Sequence, residues 1–102
     1  MKRAKVLHAS PPNFDCQSLP ISNYHEVAEV VIDQDILNEE QIHIILDYVY
    51  AVSQNVTHNW LKNIGVKPLN NIEHSRSTST GDIIEIDGGK YRCEWVGWKK
   101  LD

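Results

Sequence analysis

Hydrophobic and polar positions alternate in several short stretches of the chain and fall into helical spacing in one. Between residues 4 and 9, Lys5, Leu7 and Ala9 alternate with Val6 and His8, and Ser10-Pro11-Pro12 closes the run, so a first strand is expected there. Residues 24–32 form a stronger strand candidate. His25, Val27, Glu29 and Val31 fall on one side and Glu26, Ala28, Val30 and Ile32 on the other. Neither side is purely apolar, but the β-branched residues favour a strand over a helix. After the break at Asp33-Gln34-Asp35, Ile42, Ile45, Leu46, Val49 and Val52 share one helical face, which predicts a helix over 39–54. Asn38 and Gln41 have capping-box spacing at its start, and Glu39 and Glu40 sit where the helix dipole favours acids. Ile44, Tyr48 and Ala51 widen the apolar face, so the helix is expected to be covered on more than one side, by this chain or by a second copy in a homodimer.

Two segments lack such periodicity. Residues 10–23 carry three prolines and read as a packed loop with Phe14, Leu19 and Ile21 as anchors. Residues 55–81 are rich in Asn, Ser, Thr and Gly and read as a long connection pinned by Trp60, Leu61, Ile64 and Leu69. Then Ile83 to Ile86 is a strand, Asp87-Gly88-Gly89 a hairpin turn, residues 91–95 the returning strand, and residues after Gly97 its extension or one more short strand. The sum is a single α+β domain over 1–102, with one principal helix packed on a small, mostly antiparallel sheet of four to five strands.

Charge adds an asymmetry. The net charge is −4, yet no Lys or Arg occurs from Val6 to Leu61, while eight carboxylates accumulate there. Such a field repels phosphate backbones and attracts basic surfaces, so it argues against nucleic-acid binding through the middle of the chain and for a protein partner with a basic surface. The acids of the helix (Glu39, Glu40, Asp47) and the large aromatics Trp60, Trp95 and Trp98 are the candidate partner-binding residues. The structural alternative for each indole is a place in or at the edge of the core. Arg92, Lys99 and Lys100 give the C-terminal hairpin a basic-aromatic character, offset by Glu94 and Asp102, and this is where nucleic acid would bind if anywhere.

The segment Arg76-Ser77-Thr78-Ser79-Thr80-Gly81-Asp82 has two readings. In the structural one, Gly81 makes a turn that a Cβ would obstruct, while Asp82 and the hydroxyls bond backbone N–H groups. In the functional one, Arg76, Ser77, Ser79 and Asp82 hold a small anionic metabolite or nucleotide. The Gly-Lys-Ser/Thr ending of a phosphate-binding loop is missing, which argues against nucleotide hydrolysis of that type. Glu40, His43 and Asp47 share a helix face but lack a second His, and read as a solvated strip, so no metal and no cofactor is expected. Gly-x-Ser-x-Gly is absent, and nothing joins a nucleophile to a base, so no enzymatic activity is expected. No apolar run approaches the roughly 18 residues that a membrane span needs, and no export signal is evident, so a cytoplasmic protein with two free, buried thiols, Cys16 and Cys93, is expected.

The run from Arg76 to Ile84, with Asp87-Gly-Gly-Lys-Tyr91 and Trp95-Val-Gly-Trp98, resembles a pattern of small phage- and plasmid-borne proteins and the corresponding region of YodL-type domains. The resemblance covers about residues 74–101. Trp98 stands where Phe is commoner. It implies an accessory protein of a phage or mobile element, acting in the host cell, and assigns no catalytic residues.

Overall fold

The computed structural model describes residues 2–36 and 38–101. Six strands form one antiparallel sheet: β1 (Lys2–Ala9), β2 (Tyr24–Ile32), β3 (Val66–Pro68), β4 (Ile83–Ile86), β5 (Gly89–Cys93) and β6 (Trp98–Leu101), in the order β3-β2-β1-β4-β5-β6. A single α-helix, α1 (Glu39–Val52), packs on one face. The α+β expectation therefore holds, with six strands where four to five were expected. The addition is β3, an edge strand of three residues inside the supposed connection 55–81.

The mixed sides of β2 have a physical cause. Val6 of β1 pairs with Ala28 and Leu7 with Glu26, so Val27 is an extra residue, a β-bulge. The bulge reverses which side faces the core: Ala28, Val30 and Ile32 point to α1 after it, in phase with Ala4 and Val6, while His25 lies across from His8 before it. Val27 and Ala28 are both buried. A strict period of two read across a bulge necessarily looks amphipathic on neither side.

The helix starts as its sequence requires, with Asn38 Oδ1 accepting from the Gln41 backbone N–H at 3.0 Å. It ends at Val52, two residues short of expectation, where the Ser53 hydroxyl donates back to the Val49 carbonyl at 2.8 Å. Ile45, Leu46 and Val49 are buried against Val6, Val30, Ile84 and Tyr91 of the sheet. The widened part of the face is left open by the described residues: Ile44 is 60% and Tyr48 50% exposed.

The opposite sheet face is crossed by residues 10–23. Phe14 does not anchor this loop, being half exposed. Asn13 does: its side chain donates to the Gln17 carbonyl at 2.9 Å and accepts from the Gln17 N–H at 3.1 Å. In the connection 55–81, Trp60 and Leu61 are buried as expected, whereas Ile64 is exposed. Asparagines hold it otherwise. Asn55 accepts from the Trp60 N–H and donates to the Ser75 carbonyl, Asn59 caps the short turn Trp60–Lys62, and Asn63 donates to the Val52 carbonyl.

Candidate functional site

Two groups of sequence-predicted residues can be followed to their places. The first is residues 76–82, and the structure turns them inward. The Arg76 guanidinium meets Asp82 in a bidentate pair, Nη1 to Oδ2 at 2.7 Å and Nη2 to Oδ1 at 2.8 Å. Its remaining contacts go to the Ala9 and Ser77 carbonyls and, at 3.4 Å, to the Ser79 hydroxyl. Asp82 also accepts the backbone N–H groups of Ala9 and Ser79, at 2.9 and 2.8 Å, which fills both oxygens. The Ser77 hydroxyl accepts from the Asn55 N–H at 2.7 Å. Arg76, Ser77, Ser79 and Asp82 are thus bonded to one another and to the backbone, which is the arrangement that the structural reading of the segment describes. Gly81 sits at φ +93°, and a Cβ there would fall on the Asn13 carbonyl. Its own carbonyl accepts from the Tyr24 hydroxyl at 2.8 Å.

His8 belongs to the same buried cluster. Its ring pairs with the Thr78 hydroxyl at 2.9 Å and the Ser75 hydroxyl at 3.2 Å. The nearest Asp82 oxygen is 3.9 Å away, beyond a hydrogen bond. Burial pushes the imidazole down to about 4, so it is neutral at neutral pH.

The second group is the acidic helix face and the tryptophans. Trp60 leaves the partner-binding set: it is wholly buried, its Nε1 donating to the Arg76 carbonyl at 2.9 Å. Glu39 and Glu40 are exposed in the first turn of α1, with Glu40 about 10 Å along the axis from Asp47. Asp47, Trp95 and Trp98 come together, although they are far apart in the chain, around a cavity of about 240 Å³ between α1 and the β5–β6 turn. Trp98 Nε1 donates to Asp47 Oδ1 at 3.0 Å, tying β6 to the helix. The Tyr50 and Trp98 rings meet edge-to-face, with centroids 6.3 Å apart and planes at 79°. Trp95 and Val96 form the tip of the turn, 76% and 92% exposed, and the Glu94 N–H donates to the Gly97 carbonyl beneath them at 3.0 Å.

Tyr50, Thr80 and Glu94 also line this cavity and were not legible from the sequence as site residues. Tyr50 could have been found, since it lies one turn after Asp47; the others depend on sheet order. Glu94 Oε2 accepts from Arg92 Nε at 2.8 Å, and that bond holds the Glu94 carboxyl below its ordinary range, hence ionised. Among the described residues, two carboxylates and three aromatic rings line the site and no Lys or Arg does, Glu94 being already paired with Arg92. The site suits a positively charged, partly apolar group, which gains from the ring faces and from the acids together. Cys93, at its base, is an ordinary protonated thiol that burial pushes up to about 11. Cys93 and Cys16 are free; Cys93 is buried as expected and Cys16 is half-buried, its thiol within 3.5 Å of the Cys93 carbonyl. Among the described residues no three His, Cys, Asp or Glu side chains converge as a metal site, and no helix is long and apolar enough to cross a membrane.

Fold and site together define a small α+β domain with one helix on an antiparallel sheet and an aromatic–acidic pocket at the flank of the helix. Comparison with family models, with curated proteins and with solved structures finds no match to the chain.

Proposed function

We propose that this protein is a non-catalytic accessory protein of a phage or mobile element that binds a host protein and modulates its activity. The contact is centred on the pocket between α1 and the β5–β6 turn, which receives a Lys or Arg side chain from a basic surface of the partner. The observation that carries this reading is the convergence of Asp47, Trp95 and Trp98 with Tyr50 and Glu94 around one small cavity. Its volume is below the roughly 300–1,000 Å³ of small-molecule sites, and suits a single long side chain presented by a larger body. Trp95 and Val96 add an apolar rim that water would otherwise cover. Glu39 and Glu40 extend the negative field along the helix and would steer encounter. The resemblance of residues 74–101 to phage- and plasmid-borne proteins supplies the setting, in the host cytoplasm.

Titration with the tripeptide Gly-Arg-Gly, followed through the indole N–H resonances, tests the pocket. Trp95 and Trp98 are expected to shift saturably with the arginine peptide and not with its uncharged citrulline counterpart, while Trp60 stays still. Equal response to both peptides, or movement of Trp60 alone, would remove the pocket from the account.

A further inference from the structure

On the sheet face opposite α1, a cavity of about 340 Å³ lies between residues 18–24 and strands β4 to β6. Four of the ten Lys and Arg residues of an acidic chain line it. One of them, Lys100, has its ammonium 6.0 Å from the centre of the Tyr91 ring. Tyr91 faces α1 in the core. Lys90 is paired with Glu85, Nζ to Oε2 at 3.3 Å. Arg92 and Lys99 remain, and among the described residues no carboxylate lines the cavity; Asp102 lies outside them.

Arg92 and Lys99 are direct cross-strand partners. Like charges placed so are destabilising, and the Glu94 carboxylate offsets part of this, since Arg92 bonds it and the Lys99 charge acts on it. Glu94 and the Gln17 carbonyl take Arg92 Nε and Nη1. Its Nη2 has no hydrogen-bond partner among the described residues, although Arg92 is only 6% exposed. No fully buried side-chain nitrogen there is left unsatisfied, so Nη2 is reached by solvent, and the cavity is the opening that Arg92 lines. Lys99 has no ion pair among the described residues. The rest of the wall is Ser18 and the apolar or aromatic Leu19, Ile21, Tyr24, Ile83 and Leu101.

We propose that this cavity is a binding site for a small amphipathic anion, a carboxylate or phosphate monoester with a compact apolar body. The anionic end lies between Arg92 Nη2 and Lys99, and the apolar body lies against Leu19, Ile21 and Tyr24. The site is on the other face of the sheet from the aromatic–acidic pocket and takes ligand of opposite charge; the Arg92–Glu94 ion pair joins the two walls. A concave, partly apolar enclosure favours a compact molecule over a nucleic-acid backbone, which needs an open track of cations.

The probe is phenyl phosphate, titrated into the full chain and followed by backbone amide shifts, with inorganic phosphate and phenol as controls. Saturable shifts are expected in residues 18–24 and 90–101, with inorganic phosphate bound at least about tenfold more weakly because it leaves the apolar wall wet. Lys99→Glu should abolish the response with an otherwise unchanged spectrum, Leu19→Ser should weaken phenyl phosphate while sparing inorganic phosphate, and Lys67→Glu on the distant edge strand should do neither. Equal affinity for phenyl and inorganic phosphate, shifts that map to the α1 face, or the same loss with Lys67→Glu would overturn the proposal. So would tighter binding of a single-stranded oligonucleotide with a steep salt dependence, which would make the surface a nucleic-acid track.

Discussion

A methyl group at position 81 would meet the Asn13 carbonyl, and the backbone there is held at φ +93°, where L side chains are strained. Gly81→Ala is therefore expected to cost at least about 2 kcal/mol in urea denaturation, from backbone strain together with displacement of the 10–23 loop. Its neighbour in the network, His8, gives a pH signature. The folded imidazole titrates near 4 and the unfolded one near 6.5, so between these values the unfolded chain binds a proton that the folded chain refuses. This contribution to stability is whole above pH 6.5 and declines as pH falls toward 4, to a limit of about 3 kcal/mol. His8→Gln should flatten the stability profile across that window relative to the parent chain; parallel profiles would mean that His8 takes its proton without unfolding cost. The hydroxyl run before Gly81 was legible as a turn with internal hydrogen bonds, because Ser, Thr and Asp beside Gly do this locally. That His8, nearly seventy residues earlier, joins the same network could not be read, since it depends on β1 lying beside β4.

At the scale of elements, α1 and the C-terminal hairpin followed from local signals: an Asn cap with Gln three residues on, a regular apolar face, and Asp-Gly-Gly between two β-rich runs. β3 did not, because three residues carry too little periodicity to stand out from an Asn-rich connection. The phase of β2 was obscured by the bulge at Val27, which needs the partner strand to be seen. The pocket depends on such pairing as well: Trp98 reaches Asp47 because β6 lies at the end of the sheet beside the helix. Trp98→Phe would keep a ring against Tyr50 and lose the bond to Asp47. It should cost about 1 kcal/mol and speed amide hydrogen exchange in β6 while leaving β1 and β2 unchanged. Uniform acceleration across the sheet would instead make Trp98 part of the global core.

For the whole molecule, two unlike cavities lie on opposite faces of the sheet. The α1 side carries exposed acids and the Trp95–Trp98 turn, and the other side carries Lys90, Arg92 and Lys99 over a cavity. The sequence made the acidic middle visible and suggested that aromatics would join it. It also offered Trp60, which the core claims, and Arg76, which Asp82 claims, because composition cannot tell a buried tryptophan from an exposed one or a paired arginine from a free one. The central claim is that the aromatic–acidic pocket is where a host protein is held. Affinity capture from host lysate, comparing the parent chain with Asp47→Lys and Trp95→Ala variants that keep the parent's amide spectrum, tests it most directly. One host protein retained by the parent and lost from both variants is the expected result; a protein retained equally by all three would contradict the claim.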